Sequence, residues 1–307
     1  MSDMHPADLI DPLAGSPTIE VLPEPIELVR QLPPNPPEAL QMKFVGSAYR
    51  AAYVEAANFV QAADEYAAKH GRGGLATLGR VVDFGSGWGR ITRMLLALVP
   101  AQRLYALDVD QGMTALVNTT LPGVNAITVG PEPPTVLGDS SVDAIVAFSV
   151  FSHLAGHAHA TWAAEFGRIL SPGGVVALTV LDDSFFDQVA AAHAAAAAGS
   201  TDPFAESFTT GFPDVSASRA GYKAGQLQYA STGGGEMRTG DYYGWAVAPR
   251  AYVERVWGES GIRVLEWVPS GVLFNQAMVF LRKDEPGPPG EARRSLRSIL
   301  RPSDHRP

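Results

Sequence analysis

The chain has 307 residues, 46% hydrophobic and 18% charged, which suits about one domain with appendages. Its formal net charge of -9, with no basic stripe among aromatics, argues against a nucleic-acid partner, whose phosphates would be repelled on average. Zero cysteines exclude disulfides, thiolate metal ligands and a cysteine nucleophile.

The opening segment, MSDMHPADLIDPLAG, has neither the basic flank nor the apolar stretch of a signal peptide. No run approaches the roughly 20 apolar residues of a membrane span, so the expected location is the cytoplasm. Residues 1–42 are expected to form an extended arm, because the prolines of LPEP and QLPPNPPE fix φ and remove backbone donors. Ile19, Val21, Leu22, Ile26, Leu28 and Val29 are too apolar for a solvated tail, so the arm is expected to lie against the domain.

Residues 43–283 read as the folded domain. Tyr49, Tyr53, Ala56, Ala57, Val60 and Ala63 recur at helical spacing up to a stop at Gly71, which predicts one helix of about 22 residues. From Leu78 the pattern alternates. RVVDF, RLYALDV, VNAITV, VDAIVAFSV and GVVALTVL read as strands, with ITRMLLALV, QGMTALVNTT and HATWAAEFGRIL as helices. Such alternation implies right-handed crossovers and a parallel sheet covered on both faces. The rhythm breaks over 183–248, where an alanine-rich helix around AAAHAAAAAG gives way to a polar stretch, read as a lid inserted after strand five. It resumes with a helix at RAYVERVWGESG and strands at RVLEWVP and NQAMVFLRK. A basic tail, 284–307, closes the chain.

The turn after the first strand, VVDFGSGWGR, sets three glycines in five positions ahead of a helix. Glycines let backbone approach a ligand closely, and a helix start offers unpaired N–H groups. A dinucleotide fingerprint would read GxGxxG, whereas this turn reads GxGxG with Asp83 two residues earlier. Here the chain resembles the class I S-adenosylmethionine-dependent methyltransferases, whose first motif is similar to DFGSGWGR. The resemblance implies a Rossmann-like α/β fold with seven mostly parallel strands, a terminal antiparallel hairpin, an N-terminal helical cover and S-adenosyl-L-methionine as cofactor. It implies that Asp83 orients the cofactor's amino group through the turn, and that Gly85, Ser86, Gly87, Trp88 and Gly89 make room for its carboxypropyl end. Asp108, ending the second strand, would accept both ribose hydroxyls, with Asp110 as the alternate; Val109, Met113 and Phe148 complete the expected cofactor set. Family members often place an acid after strand three for the adenine amino group, but TVGPEPPTV offers only Glu132, off register. The Trp88 and Arg90 context and SVFSHL more narrowly resemble bacterial methyltransferases of glycan and glycoside pathways.

For the acceptor, the expectation is a hydroxyl on a small molecule, a sugar or glycoside first and a polyketide or peptide scaffold as the alternative. A nicotinamide-dependent oxidoreductase is the rival that the glycine spacing disfavours. A hydroxyl must lose its proton, and His153, just beyond strand four, either takes it or caps the following helix. Asp183, at the end of strand five, is either a second base or a helix N-cap. His157 and His159, at i, i+2, do not share a helix face, so no metal is expected, and His193 is expected to be exposed. Tyr242, Tyr243 and Trp245 of GDYYGW are expected to face the acceptor, and Trp88, Phe148 and Phe151 either to face the sulfonium or to pack in the core.

Overall fold

The computed structural model describes residues 36–235 and 237–285; the arm's residues 1–35 and the tail from 286 lie outside them. The chain enters through α1 (Glu38–Val45), a helix where an extended arm is expected up to residue 42. Pro37 is its N-cap residue, so its first turn lacks no donor that proline removes, and Gly46 closes it in the left-handed region. The long helix α2 (Tyr49–His70) has the 22 residues read from its spacing. Its buried face, with Tyr53, Ala56, Ala57, Val60, Ala63 and Ala67, lies on the sheet, and Gly71 N–H bonds Ala67 O at the end.

Seven strands then form one sheet: β1 (Val81–Phe84), β2 (Leu104–Asp108), β3 (Asn125–Thr128), β4 (Val142–Ala147), β5 (Leu170–Val180), β8 (Ile262–Val268) and β9 (Ala277–Lys283). Their order is β3-β2-β1-β4-β5-β9-β8, with β1 to β5 parallel and β9 antiparallel to both β5 and β8. Helices α3 (Arg90–Leu95), α4 (Gln111–Thr120), α5 (Gly156–Ile169) and α9 (Arg250–Gly258) cover its faces. This is the Rossmann-like architecture with a closing hairpin. The Pro172-Gly173-Gly174 turn lies inside β5, where pairing jumps from Val142–Leu170 to Ala144–Val175, so these residues bulge out.

Alternate strand residues feed two cores. Val175 and Ala177 join α2, α3 and α4 on one face, while Val176, Leu178 and Val180 join α5 and α9 on the other. The second face holds Phe84, Phe151, Trp162, Phe166 and Trp257 in successive ring contacts of 4.5 to 5.8 Å. Aromatic side chains bury about 150–250 Å² each, so this wall is a stiff backing for the strand ends above it.

The insertion is more ordered than its polar text suggests. It holds α6 (Phe185–Ala197), α7 (Pro203–Gly211), α8 (Val215–Lys223) and a two-stranded sheet of β6 (Gln228–Ala230) with β7 (Trp245–Val247). A third core of Phe185, Phe186, Val189, Phe208, Phe212 and Val247 holds it together. No described helix is long and apolar enough to cross a membrane.

Candidate active site

A pocket opens at the carboxyl ends of β1, β2 and β4, where the strand order reverses between β1 and β4, the place where open parallel sheets bind ligands. Gly85, Gly87 and Gly89 have φ of +74, +51 and +86°, a region that residues with a Cβ seldom adopt. The N–H groups of Gly85 and Ser86 both donate to Leu107 O, at 2.7 and 3.0 Å, which pins the turn to β2. A Cβ on Gly85 would sit 2.3 Å from Val150 Cγ2, whereas one on Gly87 would meet nothing within 4 Å and would fill the pocket instead. The turn therefore has one glycine for packing and one that leaves a cradle.

Asp108 lines that cradle. Its Oδ2 accepts from Gly87 N–H at 2.7 Å and its Oδ1 from Asp110 N–H at 2.9 Å, so both oxygens are aimed by backbone. Burial raises its carboxyl pKa, against those two donors. Asp110 instead caps α4, accepting from Gly112 and Met113 N–H. Asp83 stands behind the turn rather than in the pocket lining, with Oδ2 accepting from Thr92 Oγ1 at 2.5 Å. Burial pushes its pKa up to about 7, with Thr92's hydrogen bond opposing and the charge of Asp108 reinforcing. Gly89 also supports the turn from behind, packed towards Val117 and Leu121.

Two buried polar atoms in the turn, Ser86 Oγ and Trp88 Nε1, have no hydrogen-bond partner, and both residues line the pocket. Trp88 packs edge-on against Tyr53 of α2 at 5.9 Å, with its indole 1% exposed. Beside it Arg90 donates to Ala52 O at 3.0 Å and to Glu55 Oε2 at 2.5 Å, and its guanidinium lies 4.9 Å from the centre of the Phe148 ring. Val109, Phe148, Arg90 and Glu55 all line the pocket. Orphaned donors, a cradle beside Gly87, an aimed carboxylate and a paired Arg and Glu fit an adenosine joined to a zwitterionic amino-acid end.

The opposite wall is made where the insertion returns. Residues after β4 pair with those before β7: Ala155 N–H donates to Tyr242 O, Gly244 N–H to His153 O and Ala246 N–H to Ser152 O. Gly244 O lies 2.7 Å from His153 Nδ1, and a carbonyl only accepts, so Nδ1 carries the proton and Nε2 is the bare nitrogen. Burial lowers the His153 pKa to about 4, against the Gly244 bond, so the ring is neutral near pH 7. Tyr243 stacks on this imidazole at 4.8 Å and 13°. Tyr242 and Tyr243 line the pocket, and burial raises both phenol pKa values, Tyr242 to about 12, so both keep their protons near pH 7.

Several lining residues carry no signal in the sequence. Arg238, from the glycine-rich loop of the insertion, sits over Tyr243 at 5.6 Å and Phe44 of α1 at 4.8 Å. Ser149, a non-glycine residue at φ +57°, receives a bond from Gln276 Nε2 at 2.9 Å. Such a backbone strain just past a central strand is a frequent mark of functional sites.

Other expected residues lie elsewhere. Asp183 is outside the pocket lining and pairs with Arg219 of α8 at 3.0 Å, while Asp182 accepts from Ser184 and from Ser270 N–H. Neither carboxylate lines the pocket with His153. Trp245 lies outside the pocket lining, between His153, 5.0 Å away, and Phe185, Phe204 and Phe208 of the insertion's own core, and donates to Ser207 Oγ. Met113 and Phe151 are buried in the two main cores, outside the lining. Glu132 is exposed near His157, and the wall at its strand end is Val129 and Pro131, whose carbonyl receives Trp162 Nε1. His159 is fully buried against Trp257, whose Nε1 donates to it at 2.9 Å, and burial lowers its pKa to about 3. His193, expected to be exposed, is half-buried with Nε2 2.9 Å from Phe212 O.

Among curated proteins, the chain is 34% identical over 114 residues to the trans-aconitate 2-methyltransferase of Methylobacterium nodulans, covering 36% of this chain and 41% of that one. It is 30% identical over 107 residues to the malonyl-[acyl-carrier protein] O-methyltransferase of Methylococcus capsulatus, covering 34% and 38%. The chain thus spans about two fifths of the length of these relatives. Among solved structures, the magnesium protoporphyrin IX methyltransferase of Synechocystis with bound SAH aligns with a TM-score of 0.49 at 11% identity, over 80% of this chain and 94% of that one. An S-adenosylmethionine-dependent methyltransferase of Clostridium acetobutylicum aligns with a TM-score of 0.47 at 12% identity, over 76% and 92%. Residues 82–178, which carry the glycine turn, Asp108 and His153, match the family described as methyltransferase domain.

Proposed function

We propose that the chain is an S-adenosylmethionine-dependent methyltransferase acting on an oxygen of a small molecule, a hydroxyl with sugars and glycosides the first class to test. The observation that carries this reading is the Gly87 cradle with Asp108 aimed into it by two backbone N–H groups. The match over residues 82–178 and the relative named as an O-methyltransferase support it. When bound, the cofactor supplies a methyl group on a positively charged sulfur. Asp108 would hold the ribose hydroxyls. Arg90 and Glu55, paired and facing the pocket, would meet the carboxylate and ammonium of the amino-acid end, and Ser86 Oγ would gain a partner.

His153 has the tautomer the reaction requires. With Nδ1–H committed to Gly244 O, Nε2 accepts the acceptor's hydroxyl proton as the oxygen takes the methyl group. Burial that keeps the ring neutral also weakens it as a base, so its share falls toward the lower end of the usual 10²- to 10⁴-fold, about 3 kcal/mol. Holding oxygen, carbon and sulfur in line is worth up to about 7–11 kcal/mol and outweighs it. Asp83 acts through the turn, bracing α3 at Thr92.

Isothermal titration with S-adenosylhomocysteine tests the reading directly. Wild type is expected to bind, and Asp108→Ala to bind roughly 10- to 10²-fold more weakly, as loss of a charged hydrogen-bond acceptor costs about 1.5–3 kcal/mol. No binding by folded wild type would overturn it.

A further inference from the structure

Four charged side chains line the pocket among the described residues: Glu55, Arg90, Asp108 and Arg238. Three of them have a fixed occupation. Arg90 and Glu55 are joined to each other, and Asp108 is committed to the turn and to its own helix start. Arg238 is different. It makes no ion pair with any described residue, and it is held in place by rings, over Phe44 on one side and Tyr243 on the other. Stacking of this kind fixes the plane of a guanidinium while leaving edge N–H groups to seek acceptors, and a planar fork of donors matches carboxylate or phosphate oxygens.

The location decides which molecule those donors meet. Tyr243 is the ring that stacks on His153, so a single side chain separates Arg238 from the nitrogen that receives the acceptor's proton. Arg238 comes from the insertion and not from the turn that cradles the cofactor, and its charge acts across the pocket on both Asp108 and His153. Electrostatics point the same way. The cofactor brings one sulfonium and one ammonium against one carboxylate, so the loaded pocket, otherwise balanced by its two acids and two arginines, favours a negative acceptor over a positive one.

We propose that the acceptor is anionic, and that Arg238 grips a carboxylate or phosphate on it while the group to be methylated faces His153 Nε2. The proposal rests on the methyltransferase reading of the pocket. It narrows the acceptor class from neutral sugars to hydroxylated acids, sugar acids and phosphorylated sugars, and it makes Arg238 the residue that selects among them.

The test uses the full chain, labelled with ¹⁵N and saturated with S-adenosylhomocysteine. Failure of the cofactor analogue to bind would strike the methyltransferase reading itself and is scored first by titration. With the analogue bound, the Arg238 Nε–H resonance, identified by its loss in Arg238→Lys, is followed near pH 7 while sodium acetate or sodium phosphate replaces sodium chloride at constant ionic strength. A saturable shift with acetate alone assigns a carboxylate, with phosphate alone a phosphate, and with both a shared anion site. Affinity for the effective anion, read from the remaining pocket resonances, is expected to fall about tenfold or more in Arg238→Met and less in Arg238→Lys. Absence of any shift, or equal anion affinity in wild type and Arg238→Met, overturns the proposal and leaves the cofactor assignment standing.

Discussion

On the cofactor side of the pocket, Gly85 to Gly89 and Asp108 hang from β1 and β2, central strands paired on both edges, and their contacts are largely main-chain. On the acceptor side, Tyr242, Tyr243 and Arg238 come from an insertion with a core of its own, joined to the sheet domain through the segment after β4. The cofactor wall is held by the same bonds that make the fold, whereas the acceptor wall rests on short bridges to the segment after β4 and to Leu181 beyond β5, and on ring stacking. Backbone-built recognition tolerates little change and serves one ligand. Side-chain recognition on a separately folded unit can be altered without disturbing the sheet.

Three substitutions break or sharpen this contrast. His153→Ala has the largest expected effect on catalysis, a loss of about 10²-fold or more in turnover with S-adenosylhomocysteine affinity unchanged, measured by single-turnover methyl transfer and titration. A parallel loss of cofactor affinity would mean the two walls are not separable. Asp83→Asn comes next. A carboxyl held up to about 7 keeps in the folded chain a proton that the unfolded chain releases near its ordinary value of 3.8. Stability is therefore present at low pH and is lost as pH rises through that window, by up to about 4 kcal/mol, with Asp108 adding in the same direction. Urea melts from pH 4 to 8 should show this slope in wild type and a flatter one in Asp83→Asn; equal slopes would show that Asp83 is not the protonated group. Asp183→Ala has the smallest effect. Its partnership with Arg219 is partly exposed, so less than about 1 kcal/mol of stability and no turnover should be lost. A large fall in turnover would restore Asp183 as the base and displace His153.

The same contrast explains what the sequence discloses. The strands of the sheet, the 22-residue helix and the glycine turn are legible because each is a local period or spacing with one structural solution. Asp108 follows from its place at a strand end. Within the insertion the signals were present but short. Asp202 before Pro203, and Asp214, cap α7 and α8, and Phe204, Phe208 and Phe212 recur every four residues, yet polar neighbours mask a nine-residue helix. Trp245 follows the same logic in reverse, an aromatic beside two pocket tyrosines that strand alternation turns into the insertion's core. Arg238 had no signal at all, since its value comes from Phe44, nearly 200 positions away, and from Tyr243. The ion pair of Asp183 is not legible either, because its partner, Arg219, lies on a helix that the polar text conceals.

Gly244 clasps His153 from both directions, donating its N–H to the histidine's carbonyl and accepting the imidazole proton on its own. A Cβ at this residue would lie 1.9 Å from Ala230 O, so no other amino acid fits while β6 and β7 stay paired. Gly244 is thus the joint at which the insertion's fold and the His153 tautomer are set together. A chimera that grafts a foreign segment upstream while retaining the Gly244 joint and its β6 neighbour would inherit the imidazole tautomer along with it, and one that cuts through the joint would leave the His153 proton without its fixed acceptor.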